Sequence, residues 1–362
     1  MIRVGVIGAG EIAQLAHLPI LGNLSADFEV LAITDASPGV CRGVQKKFNI
    51  PKNYASGEEL IADRDIDAVF VLTPDPLHCR YVLKGLEAGK HVFVEKPLAM
   101  NSGDVRKMME AEAKHPNQIV MVGYMRRFAS SFLKAREILE ADKRPIEYIR
   151  FRDIIREGDF YIGQTKKIFR AGEMKDLPAG AGEKLTAMMY EQHSAGIGAG
   201  ANQIQRNAYQ MLLGLGCHTF SAVRELIGLP KEIKSVLTSR NGIHFVSLLQ
   251  YDGFIGTYEM INDQNVVQFD AAIEIFQGTR KLLIKHDSPY IRHLPYSLEV
   301  TETIDGYSKT TLFGPDYHDS FETELRYFAD CVVRHKKPKT SLADSLDDIE
   351  LFEKMAGMVM SS

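Results

Sequence analysis

The chain has 362 residues, of which 45% are hydrophobic and 25% are charged, and its formal net charge is −4. This length favours two domains, and the mixing of acidic and basic residues argues against a nucleic-acid partner, which selects for a basic patch. No apolar run approaches the roughly 20 residues of a membrane helix, and strand-like sequence begins at residue 2, so we expect no signal peptide.

The four cysteines indicate a reducing compartment. None of them stands in a CxxC or CxxH spacing, so we predict no zinc site and no other metal site. Cysteines outside a disulfide framework are typical of cytosolic proteins, and we therefore predict a cytoplasmic location.

Short apolar runs alternate with helix-like segments over the first 123 residues. Such alternation is typical of βαβ units, whose buried strands form a parallel sheet. We therefore predict an α/β domain over residues 1–123, with a doubly wound parallel sheet. The predicted strands are 2–7, 28–34, 68–73, 91–94 and 118–122, and the predicted helices are 11–23, 77–88 and 102–114.

The pattern changes over residues 124–362, where strands follow one another directly. Five or six strands come in sequence without helices between them, and short turns join them, which favours antiparallel pairing. We predict an α+β substrate domain with a large, mainly antiparallel sheet. Its clearest strands are 146–155, 243–250, 254–261, 269–276 and 282–285, and its predicted helices include 131–141 and 208–227.

Two further segments complete this part of the chain. Residues 172–202 are rich in Gly and Ala, and they are interpreted either as a mobile loop that acts as a lid or as a disordered surface insertion. Two helices close the chain and are expected to pack back near the first domain. The first of them carries an apolar stripe at helical spacing, made by Phe321, Leu325, Phe328 and Val332.

A glycine-rich turn follows the first predicted strand. Gly8 and Gly10 begin a G-x-G-x-x-A pattern that ends at Ala13. The pattern fits a dinucleotide because the first glycine allows a tight turn and the second lets the pyrophosphate approach the backbone. Helix N–H groups at Glu11 and Ile12 would then face the phosphates. The first domain is thus predicted to be a Rossmann domain that binds a nicotinamide dinucleotide.

Asp35 ends the second predicted strand and is the expected ribose ligand. Its carboxylate can accept hydrogen bonds from the adenosine ribose hydroxyls and would repel a 2′-phosphate, which favours NAD over NADP. Arg42 lies near enough to leave NADP open. The alternative is that Asp35 only starts the turn at Ser37-Pro38-Gly39.

Further cofactor contacts are expected where the next strand ends. Ligands bind beyond the carboxyl ends of strands in an open parallel sheet. Thr73, Pro74 and Asp75 lie at such an end, so we predict that they pass beneath the cofactor. His78 opens the next helix, where it either contacts a cofactor phosphate or ribose or simply caps the helix and packs.

Glu95-Lys96-Pro97 follows the strand predicted over 91–94. A lysine at the carboxyl end of a strand, followed at once by proline, is unusual as mere packing. We predict that Lys96 faces the nicotinamide ribose and the substrate, with Glu95 beside the cofactor. The alternative is a surface lysine at a turn.

Taken together, these motifs resemble the glucose–fructose oxidoreductase, inositol dehydrogenase and MocA family. The resemblance covers essentially the whole chain and includes Gly123-Tyr124 followed by Arg126-Arg127. It implies an open-faced sheet in the second domain that makes homodimers or homotetramers. It also implies a cis bond between Lys96 and Pro97.

The resemblance further implies the catalytic groups. In this family the lysine binds and polarises the reacting oxygen, and a histidine in a D-x-G-x-H-x-x-D pattern exchanges its proton. Gly216 and His218 match that pattern, whereas Gly214 and Ser221 stand where the two acids would be. Lys96 and His218 are therefore the predicted catalytic residues, and what replaces the first acid is left open.

Four weaker candidates are assigned to the substrate. Tyr124 and Arg126 follow the last strand of the first domain, and Tyr317 and His318 are expected to open the penultimate helix. Each carries polar groups suited to substrate hydroxyls, although structural roles for Tyr124 and Arg126 are left open.

These residues predict an NAD(P)-dependent dehydrogenase or reductase acting on a CH–OH group of a sugar, inositol or related polyol. Two alternatives are kept because the first acid is missing. One is an NAD-assisted lyase or glycosidase with transient oxidation, and the other is a non-catalytic regulator that senses the dinucleotide.

Overall fold

The structure is a computed structural model, and it describes residues 1–165 and 167–359. The chain divides into two compact units, each made of several chain segments. The units do not coincide with the predicted domains 1–123 and 124–362, because each unit takes segments from both ranges. The separate functions predicted for these two ranges stay predictions. The first unit comprises 1–123, 167–199 and 324–350, and the second comprises 124–165, 200–323 and 351–359.

The first unit contains the predicted parallel sheet. Its six strands lie in the order β3-β2-β1-β4-β5-β6 and all neighbours are parallel, which confirms the doubly wound Rossmann arrangement. The strand order reverses between β1 and β4, and ligands bind at this point in such sheets. The strands are β1 (Ile2–Ile7), β2 (Phe28–Thr34), β3 (Lys52–Asn53), β4 (Ala68–Val71), β5 (His91–Glu95) and β6 (Val120–Gly123).

Helices cover this sheet, and one of them comes from the end of the chain. Phe328 stacks against Phe28 and meets Phe70 and Phe93 edge-on, with ring centroids 5.6–6.5 Å apart. The apolar stripe on its helix is buried as predicted. The helical segments are Ala13–His17, Leu18–Asn23, Pro38–Phe48, Gly57–Ala62, Asp75–Leu77, His78–Glu87, Ser102–Lys114, Ala171–Met174, Ala181–Ile197, Ser320–Arg334 and Leu342–Gly357.

The Gly- and Ala-rich segment is helical, so its prediction as a loop or disordered insertion is wrong. Its longest helix, Ala181–Ile197, begins after Gly180 and ends before Gly198, two glycines with positive φ. Between them stand Ala, Glu, Lys, Leu and Met, which are strong helix formers. The glycines therefore mark the ends of the helix rather than a flexible tract.

The second unit is built on an eight-stranded sheet in the order β14-β13-β12-β11-β7-β10-β9-β8. Every pair is antiparallel except β7 with β10, which confirms the predicted α+β class. The strands are β7 (Tyr148–Ile155), β8 (Glu232–Ser239), β9 (His244–Gln250), β10 (Ile255–Asn262), β11 (Asp270–Gln277), β12 (Arg280–His286), β13 (Tyr296–Ile304) and β14 (Tyr307–Asp316).

Seven strands follow the long helical stretch, rather than the predicted five or six. The two edge strands, β8 and β14, bury few side chains and therefore lack the apolar alternation from which strands are predicted. The helical segments of this unit are Met125–Phe128, Ser130–Ala141, Gly158–Thr165, Gln203–Met211, Leu212–Gly216, Cys217–Ile227 and Arg240–Gly242.

The two faces of β7 differ in character. Arg152 points away from the core and binds Asp270 at 2.7 Å and Glu274 at 2.5 Å, so it belongs to a charged strand face. Ile149 and Phe151 point into the core and are fully buried. Within the described residues, no helix combines the length and the apolarity needed to cross a bilayer.

Candidate active site

The glycine turn follows the carboxyl end of β1, beside the end of β4. Gly8 has φ +97°, and a Cβ there would lie 2.5 Å from the carbonyl oxygen of Leu72, so only glycine fits without displacing the next strand. Gly10 differs, because a Cβ built there meets no atom within 4 Å. The space in front of Gly10 is thus open to a ligand.

Asp35 holds this turn in place. Its carboxylate accepts hydrogen bonds from the backbone N–H groups of Ala9 and Ser37, each at 2.8 Å. A carboxylate oxygen has more than one lone pair, so Asp35 can still accept from a ribose hydroxyl. Asp35 does bind the start of the following turn, as the alternative interpretation states. This contact leaves the predicted ribose role open.

The helix after the glycine turn contains a π-helical turn, Ala13–His17. Such turns occur often at functional sites. Glu11 and Ile12 precede this turn and are half-buried. The Glu11 carboxylate lies 2.8 Å from the guanidinium of Arg170, an ion pair that the motif alone does not reveal.

A dinucleotide fits the residues present at this edge of the sheet. The open surface at Gly10 would receive the pyrophosphate, and Asp35 would hold the adenosine ribose. Thr73, which follows β4, adds an independent indication. Its hydroxyl oxygen is buried and has no hydrogen-bond partner among the described residues, so a ligand would supply the missing bond. Pro74 is exposed beside it, and Asp75 begins a short helical turn.

Substitution of Gly10 by valine tests this fit. The side chain would enter the open space, so we expect the affinity for NAD to fall at least about tenfold, which corresponds to about 1.4 kcal/mol. The thermal midpoint should change little. Calorimetric titration and thermal unfolding measure the two quantities.

Gly8→Ala is the matched control, because its Cβ would meet backbone instead of open space. We expect it to lower the thermal midpoint more than Gly10→Val does. Full NAD affinity in Gly10→Val would mean that the pyrophosphate does not lie there.

Glu95 connects the lysine motif to the first helix. Its side chain is 7% exposed, and one carboxylate oxygen lies 2.7 Å from Nε2 of His17, which is fully buried. The other oxygen accepts the backbone N–H of Lys96 at 3.1 Å. Burial alone raises the pKa of Glu95, but the hydrogen bond and charge of His17, together with Lys96, bring it below its usual value. Glu95 is thus a buried carboxylate that fixes the backbone of Lys96.

His78 fixes the same loop from the other side. Its Nδ1 lies 2.7 Å from the carbonyl oxygen of Pro97, and its Nε2 lies 2.8 Å from that of Thr73. The ring is fully buried, so its contacts favour packing over a cofactor contact, and both ring nitrogens face carbonyl oxygens rather than the N–H groups that a cap would bind. The peptide bond between Lys96 and Pro97 is cis, as the resemblance implies. Lys96 itself is half-buried.

His218 lies in the second unit, on the helix Cys217–Ile227. This helix directly follows a π-helical turn, Leu212–Gly216, that interrupts the predicted continuous helix. A Cβ built on Gly214 would approach Nε2 of Gln210 to 4.0 Å, an ordinary contact distance. There is therefore room at the position where the resemblance places an acid. Ser221, at the second such position, is fully buried and its hydroxyl donates to the carbonyl of His218 at 3.3 Å.

Arg126 is buried inside the second unit, with 4% of its surface exposed. One guanidinium nitrogen lies 2.5 Å from the Asp153 carboxylate and 2.5 Å from the Thr219 hydroxyl. The hydroxyl of Tyr258 donates to the other oxygen of Asp153 at 3.1 Å, and burial raises the pKa of Tyr258 well above its usual value. These contacts favour the structural role left open for Arg126, and its predicted contact with the substrate stays a prediction.

The remaining substrate candidates differ in exposure. Tyr124 is 1% exposed, which favours its structural alternative. Tyr317 is 59% exposed, and His318 beside it bonds through Nδ1 to the carboxylate of Asp316 at 2.6 Å. These last two residues lie before the helix Ser320–Arg334 rather than in its first turn.

Comparison with known proteins bears on the first unit most directly. Residues 2–124 match the model of an oxidoreductase family with an NAD-binding Rossmann fold. For this N-terminal domain the match confirms the resemblance to the glucose–fructose oxidoreductase, inositol dehydrogenase and MocA family.

Two inositol dehydrogenases are similar to part of the chain. The inositol 2-dehydrogenase/D-chiro-inositol 3-dehydrogenase of Shouchella clausii is 42% identical over 142 residues, 39% of this chain and 41% of that protein. The myo-inositol 2-dehydrogenase of Thermotoga maritima is 38% identical over 138 residues, 38% of this chain and 40% of that protein. The matches thus span about two fifths of these relatives.

Solved structures extend the likeness to the fold of the chain. A 3-ketoreductase from Actinomadura kijaniata, in complex with NADP and TDP-benzene, has a TM-score of 0.72 and 21% identity, and the match covers 99% of this chain and 98% of that one. A myo-inositol 2-dehydrogenase from Lactobacillus plantarum has a TM-score of 0.71 and 21% identity, with 98% and 96% covered. At this identity the likeness establishes the fold.

Proposed function

We propose that the chain is an NAD(P)-dependent oxidoreductase that acts on a CH–OH group of a sugar, inositol or related polyol. The observation that carries the proposal is Lys96 at the carboxyl end of β5, on a loop fixed by two buried histidines. This loop belongs to the unit that also holds the glycine turn. The inositol dehydrogenases among the relatives support the substrate class.

A bound nicotinamide would accept or donate the hydride, and the protein would supply position and charge. In our proposal the ammonium of Lys96 holds the substrate oxygen and stabilises negative charge on it. Glu95 acts through the backbone of Lys96 rather than on the substrate, because its side chain is buried and binds His17 and the Lys96 N–H.

His218 is proposed to take up the hydroxyl proton. An imidazole titrates near neutrality and therefore suits this exchange. The missing acid at Gly214 leaves room for a substrate group or water. The activity thus depends on Lys96 and His218, and Tyr317 and His318 stay weaker candidates for the substrate.

A screen of inositols, sugars and other polyols with NAD and with NADP tests the proposal. We expect at least one of them to produce reduced cofactor, followed by its absorbance. Product that forms without net reduced cofactor would favour the NAD-assisted lyase or glycosidase. Dinucleotide binding with no turnover of any compound would favour the regulator. Both alternatives are kept because glycine stands at position 214, where the resemblance places an acid, and the space beside it is open.

We also propose a cytoplasmic homodimer or homotetramer that associates through the exposed face of the eight-stranded sheet. Exposed apolar side chains on that sheet, such as Leu237, Val246 and Leu312, support the association. The four cysteines stand as thiols, three of them buried, which supports a reducing compartment. Light scattering of the purified chain measures the mass of the assembly.

A further inference from the structure

One chain segment contacts three of the loops that the dinucleotide would use. This segment, residues 167–199, is named the strap here, and it belongs to the first unit. Arg170 pairs with Glu11 after the glycine turn at 2.8 Å. The side-chain amide of Gln192 donates to the carbonyl of Pro76, after β4, at 2.8 Å. The third contact lies after β2 and is made by Asp176.

The side chain of Asp176 binds the turn that follows Asp35, the proposed ribose ligand. One of its oxygens accepts the backbone N–H of Gly39 at 2.5 Å, and the other accepts the hydroxyl of Ser37. These groups stand at the start of the helix Pro38–Phe48, where backbone N–H groups and the helix dipole attract an anion. The donors that could bind an anion beside Asp35, namely the Ser37 hydroxyl and the Gly39 N–H, therefore already bind the carboxylate of Asp176.

The same carboxylate also interacts with Arg42, which we predict to lie near enough to bind a 2′-phosphate. The hydrogen bond from Ser37 lowers the pKa of Asp176, and the charge of Arg42 lowers it further. Asp176 is thus ionised at neutral pH and close enough to Arg42 to interact with it. An NADP phosphate would have to compete with Asp176 for these donors and for Arg42, and it would meet two carboxylates.

We infer that the strap makes the site selective for NAD, with Asp176 as the residue that excludes the 2′-phosphate of NADP. The inference rests on the proposed dinucleotide site and deepens it. A free 2′-hydroxyl carries no charge, so NAD meets no comparable repulsion. Asp35 alone would give some preference, and Asp176 would increase it.

Binding of NAD and NADP, measured by titration calorimetry without substrate, tests the inference. For the wild type we expect NAD to bind about a hundredfold more tightly than NADP. In Asp176→Asn we expect this ratio to fall at least about tenfold, since one charge of the two is removed. Asp176→Glu keeps the charge and should keep most of the preference.

Glu183→Gln is the matched control, because it removes one carboxylate from an exposed position of the strap. It should leave both dissociation constants unchanged. A wild type that binds the two nucleotides equally, an unchanged ratio in Asp176→Asn, or loss of both nucleotides by this variant would overturn the inference. A wild type that binds neither nucleotide would instead overturn the proposed dinucleotide site itself.

Discussion

Replacement of Lys96 by alanine is expected to lower kcat by about two to four powers of ten while NAD binding changes by less than about threefold. The range is that of a lost proton-transfer or charge-stabilising group. NAD binding should persist because the glycine turn is held by Asp35 and not by the lysine side chain. The affected quantity is transition-state stabilisation, so kcat/KM should fall with kcat.

Steady-state kinetics with the best polyol of the screen, together with calorimetric titration of NAD, measure these effects. Lys84→Ala is the matched control, because Lys84 is half exposed and its ammonium only pairs with Glu87 at 2.9 Å on the helix His78–Glu87. It should have wild-type kinetics. Turnover near the wild-type rate in Lys96→Ala would refute the catalytic assignment.

Replacement of Asp153 by asparagine should destabilise the second unit by about 3 kcal/mol or more, since it leaves the buried guanidinium of Arg126 without its counter-charge. Asp153 is fully buried and lies 2.5 Å from Arg126. The loss should appear as a lower urea midpoint. Asp252→Asn is the control, because its ion pair with Lys231 is exposed and should leave the midpoint nearly unchanged.

The double variant Arg126→Met with Asp153→Leu distinguishes structure from function. Apolar side chains can replace a buried ion pair with little loss, so we expect most of the stability to return. Normal turnover in this variant would show that Arg126 does not contact the substrate. An unchanged midpoint in Asp153→Asn would contradict the structural role of the pair.

The parallel sheet of the first unit gives strong local signals in the sequence, and its strands other than the two-residue β3 were predicted for that reason. Buried strands of a parallel sheet give continuous apolar runs, and Gly8 and Gly10 are required by backbone geometry at one point of the sheet. The edge strands β8 and β14 give no such signal because most of their side chains face solvent. The helix Ala181–Ile197 was missed because glycines near its ends were taken for a flexible tract.

The partners of the predicted site residues were harder to find, since each is distant in sequence. His17 lies 78 residues from Glu95, and Asp176 lies 139 residues from Ser37. Only tertiary structure brings such pairs together. Asp153 did leave a signal, because it is the one acid on the face of β7 that carries Ile149 and Phe151. A charge on an apolar face predicts a buried partner.

The most direct test of the account follows the hydrogen itself. A polyol deuterated at the reacting carbon is incubated with NAD and the protein, and the reduced cofactor is isolated and examined by mass spectrometry. The account predicts one deuterium atom in each molecule of reduced cofactor. Consumption of the polyol with no deuterium in the cofactor would contradict hydride transfer to the nicotinamide.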